Sequence, residues 1–224
     1  MTLRFSIEQP KSLADIVAER LSRAIIDGEL ELGQPVSEEG LASSFDVSRT
    51  PVRDALAQLH RTGLIVVRAK RGSFVFKPSA ADAVELCEYR IFLETQAVKL
   101  SHARAKSATI RALRAALQTM EKVHDDDPVA YGNADSQFHQ TFLDHCGNAY
   151  LHDAYGLAAG KIAALRTHLT ARAAPRREVS FAEHKTMTEL FETGAIDPFI
   201  ALLTEHIDRT RLVYAEAFSA LDAE

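Results

Sequence analysis

One hairpin pattern restricts the fold of this chain more than any other feature. Residues 64–78 are "LIVVRAKRGSFVFKP", two runs rich in β-branched and aromatic residues around Arg71-Gly72. No convincing strand pattern follows, because apolar residues recur at helical spacing from there to the C-terminus. The sequence therefore predicts a mainly α protein with a single β-hairpin.

Three helices are predicted before this hairpin. The first, in "SLADIVAERLSRAIIDG", opens with a capping-box variant formed by Ser12 and Asp15. Ser37 is placed to cap the short helix "EEGLASSF", and a tight turn follows it. Ser48 is placed to cap a third helix, which ends at Gly63. Helix, helix, tight turn, helix and hairpin within about 65 residues form the outline of a winged helix-turn-helix.

The third helix lies in the most basic part of an otherwise acidic chain. The formal net charge of the whole chain is −5, whereas residues 47–77 hold seven basic residues and one acidic residue. Arg49 and Arg53 project near the N-terminal end of this helix, where a recognition helix meets base edges and an arginine can bond guanine with two donors. Ser48 and Thr50 are placed to bind phosphates beside them. The pattern predicts double-stranded DNA as a partner.

The tip of the hairpin continues this basic surface. Arg68, Lys70 and Arg71 suit a wing that lies along a phosphate backbone or in a minor groove, and Gly72 lets the backbone approach closely. For any single arginine, a solvated surface position is the simpler interpretation. DNA binding is favoured because the helix order, the tight turn, the basic helix and the basic hairpin occur together.

The chain after the hairpin forms a separate helical part. A short link at residues 77–80 divides a DNA-binding domain, residues 1–76, from an all-helical domain, residues 81–224. The first ten residues predict a loose arm. Gly, Asn and Pro punctuation predicts six helices in an antiparallel bundle, near residues 80–104, 107–125, 128–146, 149–172, 177–193 and 196–221.

Cysteine content and hydropathy limit the class of protein. Cys87 and Cys146 are too few and too isolated for a disulfide framework or a thiolate metal site. No apolar run approaches the roughly 20 residues of a membrane span, and the N-terminus lacks a signal-peptide pattern. We expect a soluble, cytoplasmic protein without a membrane partner.

Polar residues on apolar helix faces mark a candidate metal site in the helical domain. Asp135 and His139 lie four residues apart on the same stripe as Phe138, a spacing that lets two side chains share one ion. His184 and His206 lie on the apolar faces of two further helices. One carboxylate and three imidazoles suit a divalent metal ion such as zinc or nickel, with positions left for water or a ligand. A lone inward histidine is more often hydrogen-bonded in a core, and we assign the five other histidines after residue 100 to core, surface or helix-end positions.

Arg90 lies at the centre of an apolar helix stripe, where a charged residue is unexpected. One explanation is an intrahelical pair with Glu94, four residues further along. The other is a guanidinium held inside the bundle to receive the carboxylate of a ligand. Spacing alone supports the two explanations equally.

The N-terminal third resembles a known family. The segment from "IIDGELELG" to "RGSFV", and above all "VSRTPVRDAL" followed by "GLI", closely resembles the winged helix of GntR-family bacterial transcription regulators. The resemblance implies a homodimer that binds a short palindromic operator, with Arg49, Arg53 and the wing at Gly72 in contact with DNA. Where some members have a basic residue on the preceding helix, this chain has Glu38 and Glu39. That helix is therefore expected to add little to base reading.

The helical part carries a second resemblance, in "YRIFLE" (89–94), "ADSQFH" (134–139), "CGNAYL" (146–151), "EHKTM" (183–187) and "EHI" (205–207). These segments are similar to the FCD ligand-binding domain of the FadR-like GntR subgroup, and the six helices indicate its smaller VanR-type variant. The resemblance implies a divalent metal held by Asp135, His139, His184 and His206, and it places Arg90 where the family binds a carboxylate. Members that bind a long acyl-CoA lack the full metal set, so its presence here argues for a small organic acid.

These features together predict a ligand-responsive transcription regulator and not an enzyme. The expected protein is a repressor whose operator affinity changes when a small carboxylate binds at the metal site. The alternative is a metal-dependent hydrolase or lyase acting on a small carboxylate, since a metal with an open position can activate water. No separate general base is found for that chemistry. A third interpretation makes the metal purely structural, with a partner protein as the effector.

Overall fold

The structure of the protein is a computed structural model that describes residues 10–123, 127–171 and 174–221. Residues 1–9 of the expected N-terminal arm, and His124, lie outside the described part. The chain divides into two compact units, Met1–Ile25 with Leu30–Phe76 and Ile26–Glu29 with Lys77–Glu224.

The N-terminal unit is a winged helix-turn-helix. Its elements, in chain order, are α1 (Leu13–Ile26), β1 (Pro35–Val36), α2 (Glu38–Phe45), α3 (Arg49–Arg61), β2 (Ile65–Arg68) and β3 (Gly72–Val75). The strands form one antiparallel sheet in the order β1-β3-β2. Ile65 pairs with Val75 and Arg68 with Gly72, so the β2-β3 hairpin is the wing.

Side-chain caps fix where the helices of this unit begin. Asp15 accepts hydrogen bonds from the N–H and hydroxyl of Ser12, and Ser12 Oγ accepts one from the Asp15 N–H, which confirms the capping box of α1. Ser37 Oγ accepts from the Gly40 N–H at 3.0 Å and caps α2. Ser48 occupies the N-cap position of α3, but its side chain makes no capping hydrogen bond, which differs from the expectation. The helix therefore does not use this exposed hydroxyl.

The apolar face of α3 packs into the core of the unit while its basic face stays exposed. Its buried residues are the ones at helical spacing, Val52, Ala55, Leu56 and Leu59. Arg49 and Arg53 lie outside this stripe and are exposed to solvent. The sequence pattern of this helix is therefore realised in the fold.

The turn of the wing needs left-handed backbone. Lys70 has a φ angle of 61° and Gly72 one of 98°, and the Arg71 N–H donates to the Arg68 carbonyl at 3.0 Å. A Cβ atom at Gly72 would meet no atom within 4 Å. The φ angle, and not crowding inside the unit, is what favours glycine at this position.

The C-terminal unit contains helices throughout its described part. They are α4 (Ala80–Val123), α5 (Pro128–His145), α6 (Ala149–Leu165), α7 (Ala174–Thr193) and α8 (Ile196–Leu221), with a π-helical turn (Arg166–Ala171) between α6 and α7. Ala105 in α4 has non-helical backbone, with φ −143° and ψ 32°, so α4 is two helices joined at a kink. The six helices predicted from the sequence are all present, and the mainly α fold class is confirmed.

Two helix boundaries differ from the prediction. The helix expected over 149–172 is α-helical only to Leu165, and a π-helical turn follows it. A sequence pattern of period 3.6 cannot predict this turn, because a π-helix has more residues per turn. The helix expected to begin near residue 177 begins at Ala174. Pro175 therefore lies inside the first turn, where its missing N–H costs no hydrogen bond.

Aromatic rings hold α5, α7 and α8 together at the centre of this unit. The ring centroid of Phe142 lies 5.8 Å from that of Phe191 and 5.4 Å from that of Phe199. These three rings are fully buried, so the polar residues of the same helix faces are fixed in position as well.

No helix in the described ranges combines the length and the apolar character that a membrane span requires.

Candidate metal centre

Three histidines from three helices meet inside the C-terminal unit. His139 of α5, His184 of α7 and His206 of α8 each present one ring nitrogen, and these three atoms lie within 4.8 Å of one another. His139 Nε2 and His184 Nε2 are 3.4 Å apart. The first two side chains are fully buried and His206 is 7% exposed. Residues separated by 67 positions in the chain thus form one compact donor group.

Asp135 lies beside this group, one helical turn before His139 on α5. Its Oδ1 is 3.7 Å from His139 Nε2, and its Oδ2 is 3.9 Å from His184 Nδ1. The same carboxylate pairs with Arg166 and accepts a hydrogen bond from Ser180 Oγ at 3.1 Å. The structure therefore brings together all four residues that the sequence selected as metal ligands.

Glu94 of α4 fixes the orientation of His139. Its Oε2 lies 2.7 Å from His139 Nδ1, and its Oε1 accepts hydrogen bonds from Arg90 Nε at 2.8 Å and from Tyr155 Oη at 3.1 Å. A carboxylate on the far nitrogen of a metal-ligating histidine sets the ring orientation and raises its basicity. Arg90 thus makes the intrahelical pair that its spacing suggested, and it reaches the histidines through Glu94.

Glu183 has the same relation to His206. Its Oε2 lies 2.7 Å from His206 Nδ1, and its other oxygen pairs with Arg209. In both rings Nδ1 is taken by the glutamate, so Nε2 is the nitrogen that is available to bind an ion. His184 differs, because its Nδ1 is buried and has no hydrogen-bond partner within the described residues.

Burial and neighbouring charges leave the imidazoles neutral and the carboxylate ionised. Burial lowers the pKa of His184 well below its ordinary value and the pKa of His206 to about 3. Burial raises the pKa of Asp135, but the positive charge of Arg166 lowers it by more, so this pKa lies below its usual range. At neutral pH the site therefore presents three imidazole lone pairs and one negative charge.

This donor set fits a divalent ion of the zinc or nickel type. Ligand nitrogens about 2.0–2.1 Å from a tetrahedral zinc lie about 3.3 Å from each other, and the observed Nε2–Nε2 distance is 3.4 Å. Two lone pairs that face each other at this distance are unfavourable unless a proton or an ion lies between them.

Sequence reasoning missed three residues that complete the site. Glu183, Ser180 and Arg166 were not selected, although Glu183 directly precedes His184. Arg166 lies at the start of the π-helical turn, and its pairing with Asp135 bridges 31 residues of sequence. Local periodicity contains no signal for such contacts, because they depend on how the helices pack.

The predicted DNA-binding residues lie on the surface of the N-terminal unit. A groove brings Arg49 of α3 together with Arg71 and Gly72 of the wing. Glu38 lines the same groove, and its Oε2 lies 3.5 Å from Arg49 Nη2. The other predicted residues, Ser48, Thr50, Arg53, Arg68 and Lys70, are exposed but do not line this groove.

The sequence matches two family descriptions. Residues 13–75 match "Bacterial regulatory proteins, gntR family", and residues 85–209 match "FCD domain". The second match covers more than half of the chain.

Named relatives and a solved structure give the same result. The HTH-type transcriptional regulator YdhC of Bacillus subtilis is 28% identical over 149 residues, which cover 66% of this chain and 66% of that protein. The HTH-type transcriptional repressor NanR of Klebsiella aerogenes is 31% identical over 157 residues, or 62% and 60% of the two chains. A GntR transcriptional regulator from Rhodococcus sp. RHA1 has the same fold, with a TM-score of 0.82 at 22% identity, covering 92% of this chain and 99% of that one.

The chain matches about two thirds, or less, of the length of these curated relatives. The family and the relatives are transcription regulators and not enzymes, as the sequence predicts.

Proposed function

The chain belongs to the gntR family of bacterial regulatory proteins and carries an FCD domain, and on this premise we propose that it is a ligand-responsive, DNA-binding transcription regulator. In this proposal a cytoplasmic homodimer binds a short palindromic operator as a repressor. A small organic acid bound at the metal site of the FCD domain changes the operator affinity. The domain boundaries proposed are residues 1–76 for DNA binding, a linker at 77–80, and residues 81–224 for the metal, the effector and dimer formation.

The exposed basic residues of α3 and the wing support the DNA-binding half. Arg49 and Arg53 are exposed at the N-terminal end of α3, the part of a recognition helix that meets base edges. The Ser48 hydroxyl is not used for capping, which leaves it available to a phosphate, and Thr50 is exposed beside it. In the wing, Arg68, Lys70 and Arg71 are exposed, and the open space above Gly72 allows a close backbone approach.

The buried histidine group supports the metal half. His139, His184, His206 and Asp135 would hold the ion, with zinc or nickel as the proposed identities. Such an ion would act as a Lewis acid toward an oxygen atom of the effector. Glu94 and Glu183 hold two of the rings by their Nδ1 atoms, so that their Nε2 atoms face inward. Phe138 stacks on His184 at a centroid distance of 4.2 Å and limits the freedom of the third ring.

For Arg90 we propose a supporting role together with the effector role implied by the family resemblance. Its pair with Glu94 is fully buried and holds the carboxylate that orients His139. Its Nη2 has no hydrogen-bond partner within the described ranges, and this is the atom with which it would meet an effector carboxylate.

The observation that carries the proposal is the buried group of three imidazoles in a chain whose other unit presents an exposed basic recognition helix. A sensor site and a DNA-binding surface are the two parts that a ligand-controlled regulator needs. Control then requires that the acid binds one arrangement of the dimer more tightly than the other.

Gel retardation tests the proposal directly. The purified full chain should retard a palindrome from upstream of its own gene, with an affinity that falls steeply as salt rises because phosphate contacts release counterions. Metal-loaded protein should then lose or gain operator affinity when carboxylates are added. Absent or salt-insensitive retardation would count against the DNA-binding half, and indifference to every acid would count against the effector half.

A further inference from the structure

A cavity of about 420 Å³ opens beside the candidate metal ligands. Asp135 and His206 form part of its wall, and the π-helical turn, α7 and α8 provide the rest. Its volume lies within the range of about 300–1,000 Å³ that is usual for small-molecule sites. The cavity is therefore large enough for an organic ligand that reaches the histidine group.

One side of this cavity is apolar and open to solvent. Val179 and Leu212 line it and are 49% and 56% exposed, which is high for large apolar side chains. Val213 and Pro175 extend the same wall. Exposed apolar residues gathered around a cavity are typical of a surface that a ligand or a partner covers.

A buried guanidinium with one nitrogen that lacks a partner within the described residues also lines the cavity. Arg166 is 5% exposed, its Nε pairs with Asp135, and its Nη1 donates to Ser136 Oγ at 2.8 Å. Its Nη2 is buried and has no hydrogen-bond partner in the part of the chain that the structure describes. A buried guanidinium donor is rarely left unsatisfied, so this nitrogen is available to an acceptor that the described residues do not supply.

The charges along the wall favour an anion as that acceptor. The lining residues include Arg166, Arg176 and Arg209 but only two carboxylates, Asp135 and Glu183. Glu183 is already bonded to both His206 and Arg209. The positive charges on this wall, to which a bound divalent ion would add, therefore favour an anionic ligand.

We infer that this cavity binds a monocarboxylate with an apolar, aromatic or branched aliphatic body. The carboxylate accepts from Arg166 Nη2, and the body covers Val179, Leu212 and Val213. This inference rests on the proposed effector function and names the ligand class for it. In this assignment Arg166, which lines the cavity, binds the ligand carboxylate in place of the direct contact proposed above for Arg90, which does not line it. Arg90 then acts on the site only through Glu94 and His139.

The same wall disfavours a polyhydroxylated acid. Each hydroxyl group of such a ligand loses its hydrogen bonds to water on binding and needs a protein group to replace them, and an apolar wall provides none. Among the described lining residues, two carry hydroxyl groups, Ser180 and Thr210. The Ser180 hydroxyl already donates to Asp135. The Thr210 hydroxyl itself donates to the His206 carbonyl at 3.1 Å.

Three probe molecules separate charge from shape. Phenylacetate has the proposed charge and body, phenylacetamide keeps the body without the charge, and gluconate keeps the charge on a hydroxylated body. The midpoint temperature of thermal unfolding of the zinc-loaded full chain should rise with phenylacetate and with neither of the other two probes. Circular dichroism or an added dye follows the unfolding, because the chain has no Trp. Equal stabilisation by phenylacetamide overturns the role of Arg166.

Two variants test the assigned residues. Arg166→Gln removes the anchor, and Leu212→Glu places a carboxylate on the apolar wall at an exposed position where folding is not at risk. Each should weaken phenylacetate binding, measured by calorimetry, at least about tenfold. Arg114→Gln, at an exposed guanidinium that pairs with Glu192, is the matched control and should bind as the wild type does. Wild-type affinity in Leu212→Glu overturns the inference even if Arg166→Gln fails to fold.

The outcomes also distinguish this inference from the function on which it rests. Stabilisation by gluconate without stabilisation by phenylacetate overturns the apolar ligand class but keeps an acid-responsive regulator. Stabilisation by neither acid overturns the inference and the effector half of the proposed function together. Operator retardation by the same preparation reports separately on DNA binding.

Discussion

Glu94 Oε2 lies 2.7 Å from His139 Nδ1, and neither side chain is exposed to solvent. Burial raises the pKa of Glu94, but Arg90 and His139 lower it by more, so this carboxyl is ionised at neutral pH. An ionised carboxylate only accepts hydrogen bonds, so the hydrogen of the His139 ring is on Nδ1 and the lone pair is on Nε2. One contact between two helices thus determines which atom of His139 faces the other imidazoles.

Replacing Glu94 should weaken metal binding without a direct effect on DNA binding. Glu94→Gln keeps the shape of the side chain but removes the charge that orients His139 and raises its basicity. Loss of such a partner typically costs about 10–100-fold in metal affinity. Competition with a chelator gives the zinc affinity, and Glu192→Gln, at a carboxylate bonded to the exposed Arg114, is the control. An unchanged affinity in Glu94→Gln would mean that the carboxylate has no part in metal binding.

The proposed ligands themselves can be tested by metal content. His184→Ala and Asp135→Ala should lose bound zinc or nickel, since each removes a donor from a set of four. His152→Ala is the control, because its side chain is about half exposed and lies outside the group. Elemental analysis of the purified proteins measures the metal, and full retention in either ligand variant would refute the assignment.

The stripe of α3 and the inward histidines could be predicted because both follow from the period of one helix. Val52, Ala55, Leu56 and Leu59 are buried as their spacing required. The partners of the histidines could not be predicted in this way. Glu94 precedes His139 by 45 residues and Glu183 precedes His206 by 23, and only helix packing brings them into contact. The cavity next to Arg166 depends further on a π-helical turn, which a pattern of period 3.6 does not reveal.

Arg90 should be important for stability as well as for the ligand response. Arg90→Ala leaves the buried Glu94 without its cationic partner, and breaking a buried pair in this way costs about 3–5 kcal/mol. We expect the folded variant to bind operator DNA but not to respond to the acid. Chemical denaturation and gel retardation measure the two effects, and a response at wild-type ligand concentrations would limit Arg90 to its structural pair.

Glu38 should weaken DNA binding rather than support it. Its carboxylate lies 3.5 Å from Arg49 Nη2 at a surface that is proposed to meet DNA, so it competes for that guanidinium and repels phosphates. An exposed pair of this kind contributes at most about 1 kcal/mol, so Glu38→Gln should raise operator affinity by up to about fivefold. Glu121→Gln, an exposed acidic residue of α4, removes the same charge far along the chain and is the control. Lower affinity in Glu38→Gln would instead indicate that Glu38 reads a base.

The metal-free protein should become less stable as the pH falls below neutral. Burial is the main reason why the pKa values of His139 and His184 are lowered and that of His206 is about 3, against about 6.5 in an unfolded chain. Below pH 6.5 the unfolded chain therefore binds protons at these positions that the folded chain does not bind. The contribution of these imidazoles to the free energy of unfolding is fully present above pH 6.5. It is lost as the pH falls, by about 1.4 kcal/mol per pH unit for each such proton. Urea unfolding in chelator between pH 7.5 and 5 measures this dependence on pH. His206→Asn should reduce by about one the number of protons that unfolding takes up. A stability that does not change over this range would show that the imidazoles are not held neutral by burial.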